Sequence, residues 1–463
     1  MIHRTGMTRP IVPSLMASKR WLLLCLLLPL PFFAVPSNTG RGIRLELTHV
    51  DARGSLAGAD RVRRAAERSH RRVNGLLAAA TAPSAPTLRS DDGGGGPVTA
   101  AAAVHASTAT YLVDLAIGTP PLALTAVLDT GSDLIWTQCD APCRRCFPQP
   151  APLYAPARSA TYANLSCGSK LCEALPSPRS SRCSAPEPGC AYYYSYGDGS
   201  STDGVLATDA FTFSAAATVH GLAFGCGTDN LGGTDNSSGL VGMGRGPLSL
   251  VSQLGVTRFS YCFTPFNDTT TSSPLFLGSS ARLSPAAKST PFLLNPAGPR
   301  RSSYYYLSLE GITIGDTLLP IDPAVFQLTA SGRGGIIIDS GTTFTALEER
   351  AFVVLARAVA ARVARPLASG AHLGLSLCFA APEGRGPDAV GVPRLVLHFD
   401  GGDMELPRAS VVVEDKVAGV ACLGVVSARG MSVLGSMQQQ NMHFLYDIER
   451  DLLSFEPAKC SDL

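Results

Sequence analysis

The sequence predicts an all-β fold of two related lobes, with a few short helices and a cleft between the lobes. Three observations carry this expectation. Only 16% of the 463 residues are charged against 45% apolar, and 46 Gly and 34 Pro favour many short strands and turns over long helices. Apolar runs rich in β-branched residues alternate with Gly- and Pro-containing turns through the body of the chain. One pattern also occurs twice. "AVLDTGSDLIW" at 126–136 and "IIIDSGTT" at 336–343 each end an apolar run on an acid and continue into a glycine turn with hydroxyls.

The start of the chain stands apart from this body. From Met16, Lys19 and Arg20 precede an apolar core at 21–35 that Pro29 and Pro31 interrupt. The core is too short for a stable membrane span and reads as a secretory signal, assigned to 1–37. Residues 38–107 form a basic prosegment and linker. An Arg-studded helix is predicted in the second half of 38–80, with a solvated face as the expected setting for any single arginine at 61–72. The Ala-, Pro-, Ser- and Gly-rich stretch that follows, with "DDGGGG" at 91–96, has linker composition. Residues 1–106 hold 14 Lys+Arg and 6 Asp+Glu, whereas the remainder holds 24 and 30. A basic leader thus precedes an acidic body, and the acidic body argues against a nucleic-acid partner. The body divides into an N-terminal lobe at 108–300, carrying a Cys-rich insert, and a C-terminal lobe at 301–463.

Within the body, "YLVDLAIGTPPLALTAVLD" predicts two strands around a Gly-Thr-Pro-Pro turn. "YYYLSLEGITIGDTLLPI" predicts a hairpin with Gly315-Asp316 at its tip, and "PRLVLHFDGGDMELP" another turning at Asp400-Gly401-Gly402. One helix is predicted at "TALEERAFVVLARAVAARV", where Thr345 and Glu348 have capping-box spacing. Each acid of the repeated pattern is followed by an apolar-apolar-Gly element, "GLVGMG" at 239–244 and "SVLGSM" at 432–437. The duplication of pattern predicts that each lobe offers one acid, Asp129 or Asp339, to a shared interface. Gly131 and Gly341 would let the backbones approach, and Ser132 and Thr342 would orient the carboxylates by hydrogen bonds. Two carboxylates about 3 Å apart hold one proton between them, so the charged member can activate a water while the neutral member polarises a carbonyl.

Thirteen cysteines are present, and Cys25 lies in the signal core. The other twelve read as six disulfides of an exported protein, with pairings open on spacing alone. Cys139, Cys143 and Cys146 are close enough for metal ligands, but no His-rich partner accompanies them, so no metal is expected. Asn164, Asn236 and Asn267 begin glycosylation sequons. "CGSK" at 167–170 suits a disulfide better than a nucleophile, and "GMGRGP" lacks the strand-turn-Lys arrangement of a phosphate loop.

These residues resemble the pepsin-type aspartic endopeptidases, through two Asp-(Thr/Ser)-Gly-(Ser/Thr) turns on apolar strands. "WTQCDAPCRRC", "YSYGDGSSTDG", "GLVGMGRGPLSLVSQL", "GGIIIDSGTT", "HFDGGDMELP" and "QQQNM" are similar to the plant nepenthesin-like branch, over about 108–463. The shared-proton dyad of that family is itself a standard example of coupled carboxylates. The resemblance implies Asp129 and Asp339 as catalytic pair, Ser132 and Thr342 as supports, and Tyr196 as the flap tyrosine that reaches towards Trp136. It implies the disulfides Cys139–Cys143, Cys146–Cys226, Cys167–Cys190, Cys172–Cys183, Cys262–Cys460 and Cys378–Cys422. It also implies a pepsin-like fold, an extended polypeptide substrate, acid pH and no cofactor. A monomer is expected, secreted, with the apoplast or cell wall favoured over vacuole or plastid. The basic leader before an acidic body predicts a zymogen in which residues 38–100 cover the cleft at neutral pH, Arg side chains opposing ionised carboxylates, and acid releases the leader. The alternative is a catalytically silent pepsin-fold binding protein or inhibitor of cell-wall-degrading enzymes, which usually departs from the pattern at one catalytic turn or at the flap.

Overall fold

A computed structural model describes residues 42–50, 58–81, 111–175, 181–182, 189–215, 217–232, 237–266, 268, 270–296, 303–381 and 390–463. The segment 1–37 read as a signal, residues 82–110 with the expected linker, Asn236, Asn267 and Cys183 lie outside these residues. Residues Thr39–Leu463 form one unit.

The described chain opens with strand β1 (Ile43–His49) and helix α1 (Gly58–Thr81). In β1 every second side chain is buried, Leu45, Leu47 and His49 in turn, the period of a strand with one face on a core. The strand pair read around Gly-Thr-Pro-Pro follows as β2 (Tyr111–Ile117) and β3 (Leu122–Asp129), antiparallel to each other. Then come β4 (Trp136–Gln138), the long hairpin arms β5 (Ala191–Ser195), β6 (Ser201–Ser214) and β7 (Ala217–Leu231), and β8 (Gly239–Gly242). Strands β9 (Arg258–Cys262) and β10 (Ser273–Leu277) close this half. The second half contains β11 (Tyr305–Leu307), β12 (Ile336–Asp339), β13 (Thr345–Glu348), helix α2 (Glu349–Arg362), β14 (Val425–Ala428) and β15 (Ser432–Gly435). Of its last strands, β16 (Met442–Asp447) returns to pair with β9, and β17 (Leu452–Pro457) pairs with β16.

The duplication read from the two acid turns is a duplication of topology. In the first half the order β2-β3-β8-β4-β7 pairs antiparallel, parallel, antiparallel, parallel. The order β11-β12-β15-β13-β14 in the second half repeats those directions. The apolar-apolar-Gly elements are the parallel partners of the acid strands, with Gly242 opposite Asp129 and Gly435 opposite Asp339. Burial on both faces explains why these strands read as unbroken apolar runs. Strand β1 is woven into the same sheet, between β10 and β2.

The hairpins expected at Gly315-Asp316 and at Asp400-Gly401-Gly402 are present. The helix expected from 345 starts later. Thr345–Glu348 is strand β13, drawn into the sheet by pairing with β14 and β15, and the Thr345 hydroxyl accepts the Gly435 N–H at 3.0 Å instead of capping a helix. Glu348 caps α2, its carboxylate accepting the Arg350 N–H at 2.8 Å.

Four disulfide expectations are corrected. Parallel pairing sets Thr137 of β4 opposite Cys226 of β7, and Cys139 N–H donates to the Gly227 carbonyl at 2.9 Å. Cys139 therefore joins Cys226, not Cys143, with a Cα separation of 5.3 Å. Cys146 then closes on Cys143, three residues away, rather than on Cys226. Cys190 joins Cys172, so neither Cys167–Cys190 nor Cys172–Cys183 forms. Cys172 and Cys190 are buried in one cluster with Leu175, Tyr192 and Leu206, whereas Cys167, itself disulfide-bonded, is only partly buried. Cys262–Cys460 and Cys378–Cys422 are both present. Peptide mapping without reduction is expected to recover Cys139 joined to Cys226 and Cys172 joined to Cys190; a Cys139–Cys143 peptide would contradict the β4–β7 register.

Candidate active site

Strands β3 and β12 carry Asp129 and Asp339 to their buried C-terminal ends, and both acids are fully buried. The carboxylates are held alike. Ser132 Oγ donates to Asp129 Oδ2 at 2.5 Å, and the Gly131 N–H donates to Oδ1 at 3.0 Å. Thr342 Oγ1 donates to Asp339 Oδ2 at 2.6 Å, and the Gly341 N–H donates to Oδ1 at 2.9 Å. The glycines are required by proximity. A Cβ on Gly131 would lie 2.6 Å from Asp339 Oδ1, and one on Gly341 only 2.4 Å from Asp129 Oδ1. Each glycine thus faces the acid of the other turn.

A reciprocal pair of hydrogen bonds locks the turns together. The Thr130 N–H donates to Ser340 Oγ at 3.0 Å, and the Ser340 N–H donates to Thr130 Oγ1 at 2.9 Å. Ser340 Oγ donates onward to the Leu128 carbonyl at 2.9 Å. These two residues were not singled out from the sequence. The available signal was that the residue after each acid also carries a hydroxyl.

A third residue at this site is Arg72 of α1, an arginine of the kind expected to oppose carboxylates but not singled out by position in the sequence. Instead of facing solvent, Arg68 and Arg72 are almost wholly buried, at 1% and 2% exposure. Arg72 Nη2 donates to Asp129 Oδ1 at 2.5 Å, and its Nε donates to Asp339 Oδ2 at 3.1 Å. The helix reaches this position because Val62, Ala65, Ala66, Val73 and Leu76 make one apolar face against Phe344, Leu373, Leu375, Val413 and Val420. Ser69, one turn before Arg72, accepts the Phe344 N–H at 2.8 Å. Burial spread over residues 62–76 matches helical spacing, but the sequence carries no sign of which surface it meets.

Burial disfavours the charge on Arg72, but the two carboxylates outweigh that effect and hold the guanidinium well above its ordinary pKa. Burial likewise opposes ionisation of Asp129; the Arg72 charge and hydrogen bond, with the Ser132 and Gly131 donors, prevail and keep it below its ordinary 3.8. Asp339 stays above that value, because burial and the Asp129 charge together exceed the help it receives from Arg72.

The hairpin tip at Tyr196–Gly199 closes over this constellation. Tyr196 N–H donates to the Ser200 carbonyl at 2.8 Å, and Asp198 Oδ1 accepts both the Ser200 N–H and its hydroxyl. Tyr196 packs against the cluster that contains Trp136. The tip rests on α1. A Cβ on Gly75 would fall 1.5 Å from the Gly197 carbonyl oxygen, so glycine is needed where helix meets hairpin. A cavity of about 370 Å³ remains beside Arg72 and Leu76, lined by Ser132, Tyr194, Tyr196 and Tyr304.

The "GMGRGP" segment wraps a neighbouring carboxylate. Asp133 Oδ1 accepts the Gly246 N–H at 2.8 Å, and Oδ2 accepts the Ser303 hydroxyl. The loop therefore ties the first acid turn to the chain entering the second half. The sequon residue Asn164 is exposed. Among the described residues there is no cluster of metal-ligating side chains, and no helix is long and apolar enough to cross a membrane.

Two family models match the chain, described as xylanase inhibitor N-terminal over residues 111–279 and xylanase inhibitor C-terminal over 304–457. The chain is 41% identical to aspartic proteinase nepenthesin-1 of Nepenthes gracilis, over 90% of each chain. It is 37% identical to aspartyl protease 37 of Oryza sativa subsp. japonica, over 95% of this chain and 99% of that one. Among solved structures it is similar to edgp, with a TM-score of 0.62 and 20% identity over 77% of this chain and 93% of that one. It is also similar to basic 7S globulin from soybean, with a TM-score of 0.60 and 19% identity over 78% and 97%. At that identity the two structures speak to the fold alone.

The Thr130–Ser340 exchange has a measurable weight. Ser340→Ala leaves the buried Thr130 N–H without its acceptor and is expected to lower stability by about 1–3 kcal/mol in urea unfolding with an unchanged slope.

Proposed function

The chain belongs to the pepsin-type aspartic endopeptidase family, on its nepenthesin-like branch, and from that premise we propose that it is an acid endopeptidase, described here in a self-blocked proform. The observation that carries this reading is the pair of buried acids, each with its hydroxyl and glycine donors, bridged by Arg72 from the segment that precedes the body.

Once Arg72 withdraws, two facing carboxylates hold a single proton, and their apparent pKa values belong to the pair. The ionised member takes a proton from a water as its oxygen attacks the scissile carbonyl carbon. The neutral member passes its proton to the carbonyl oxygen, giving a tetrahedral diol. Collapse of the diol, with a proton returned to the amide nitrogen, breaks the C–N bond and restores the shared proton. Ser132 and Thr342 keep the outer oxygens oriented while the protons move. The Tyr196 hairpin closes over an extended peptide, whose backbone supplies hydrogen bonds and whose side chains enter flanking pockets. No cofactor enters these steps.

The blocked state would be relieved by acid. Protonating the carboxylates removes the partners of Arg72. Because Asp129 is held below 3.8, the stability it contributes is present above that value and is lost only as pH falls through the lowered one. Export, cleavage of the leader and glycan addition at Asn164, Asn236 and Asn267 belong to the same proposal, with the cell exterior as destination.

The family models, described as xylanase inhibitor domains, keep a second reading in view, that of a silent binding protein. It is disfavoured because Asp129, Asp339, Ser132, Thr342 and Tyr196 are all retained in this chain. Digestion of a denatured protein at about pH 3–4 separates the two. Pepstatin-sensitive cleavage, lost on the order of 10³-fold or more in Asp129→Asn, is expected; no cleavage by the processed wild-type chain would reject the protease. Arg72→Gln leaves two buried carboxylates without their counter-charge. Its proform is expected to be processed at a higher pH than wild type, as followed by gel.

A further inference from the structure

The Asp129 arm of the Arg72 bridge makes a poor sensor of mild acid, because it persists until the lowered Asp129 pKa is reached. The prosegment holds a second titratable group in an unusual setting. His49 ends β1 at a position where the strand's alternation places core residues, after Leu45 and Leu47, and is only 2% exposed. Its imidazole meets the Tyr111 ring edge-on at 5.3 Å and the Phe266 ring at 5.0 Å. Tyr111 is its register partner on β2, and the Tyr111 hydroxyl donates to the Thr264 carbonyl at 2.7 Å.

From α1, the charges of Arg68 and Arg61 face the imidazole. On its own strand, Glu46 points to the opposite, exposed face and pairs with Arg44. On the 263–268 segment, Asp268 acts on Tyr111, and hydrogen bonds from Thr271 and Thr270 lower its carboxyl to about 2. Its charge is therefore constant through mild acid. Burial against two aromatic rings, with the Arg68 and Arg61 charges acting on it, opposes an imidazolium at residue 49.

We propose that His49 is a pH trigger for release of the prosegment: the docked strand accepts only neutral imidazole, so protonation in mild acid favours the undocked state. The proposal rests on the reading of residues 38–107 as a blocking prosegment and supplies its regulation. Burial first, then the Arg68 and Arg61 charges, lowers His49 from the ordinary 6.5 to about 3 in the docked chain. A group lowered on docking contributes stability above its free pKa, and that stability drains away as pH falls from 6.5 towards 3. Linkage over that window weakens docking on the order of a hundred-fold between about pH 8 and pH 4. The loss begins above the range where Asp129 titrates, so acid would loosen β1 before it discharges Asp129.

The test is hydrogen exchange on the full-length proform, reading the amides of β1 and α1 at about pH 7 and pH 4 in wild type and His49→Gln, corrected for intrinsic exchange. Wild-type protection is expected to fall roughly a hundred-fold more than that of the variant, which carries no group able to charge at that position. Equal losses in the two chains would overturn the proposal. Should His49→Gln fail to dock at pH 7, the His49 ring signal in wild type gives the same answer by NMR titration. A midpoint near that of a free histidine in the docked chain would overturn it, and a ring still neutral at pH 4 would support it. These readouts are independent of catalysis. A chain that never digests protein would reject the protease while leaving the exchange comparison to decide the trigger.

Discussion

Two carboxylates are buried side by side at the meeting of two strands, and the architecture around them exists to make that tolerable. A buried carboxylate needs donors, and two together need either a shared proton or a cation. Ser132, Thr342 and the Gly131 and Gly341 amides supply the donors from within the two turns. Arg72 supplies the cation from outside the body. The parallel partners β8 and β15 hold the acid strands from one side, and the Thr130–Ser340 exchange fixes one turn against the other.

That arrangement links fold to chemistry through proximity. The glycines are there because the opposite acid occupies the space a side chain would take. The same closeness would give the pair its shared titration once the guanidinium is gone. It also explains why a helix can block the site so completely. One side chain of the right charge, delivered at the right depth, meets both acids, while Gly75 lets the hairpin tip close directly over the helix backbone.

Docking of the leader is divided among unlike interactions. Strand β1 contributes backbone hydrogen bonds to the sheet, α1 contributes apolar burial against Phe344 and Val413, and Arg72 contributes charge. Apolar contacts and sheet pairing vary little with pH, so sensitivity to acid has to reside in a few titratable positions. Arg72 with its acids is one such position, and the proposed trigger His49, against Tyr111 and Phe266, is another.

The sequence alone determined the all-β class, the duplicated acid turns, the two hairpins and the Gly131, Ser132, Gly341 and Thr342 donors beside Asp129 and Asp339, because each is a local pattern. Apolar alternation, turn glycines and hydroxyls three residues after an acid act through neighbours in the chain. The tertiary structure alone decided what depends on distant register. Cys139 took Cys226 because β4 lies beside β7, and Thr345 joined a sheet because β14 and β15 were there to receive it. Arg72 reads in the sequence as one more exposed helical arginine. Only the seating of α1 on the second half, by contacts between residues hundreds of positions apart, turned it towards two carboxylates whose charge makes its burial favourable.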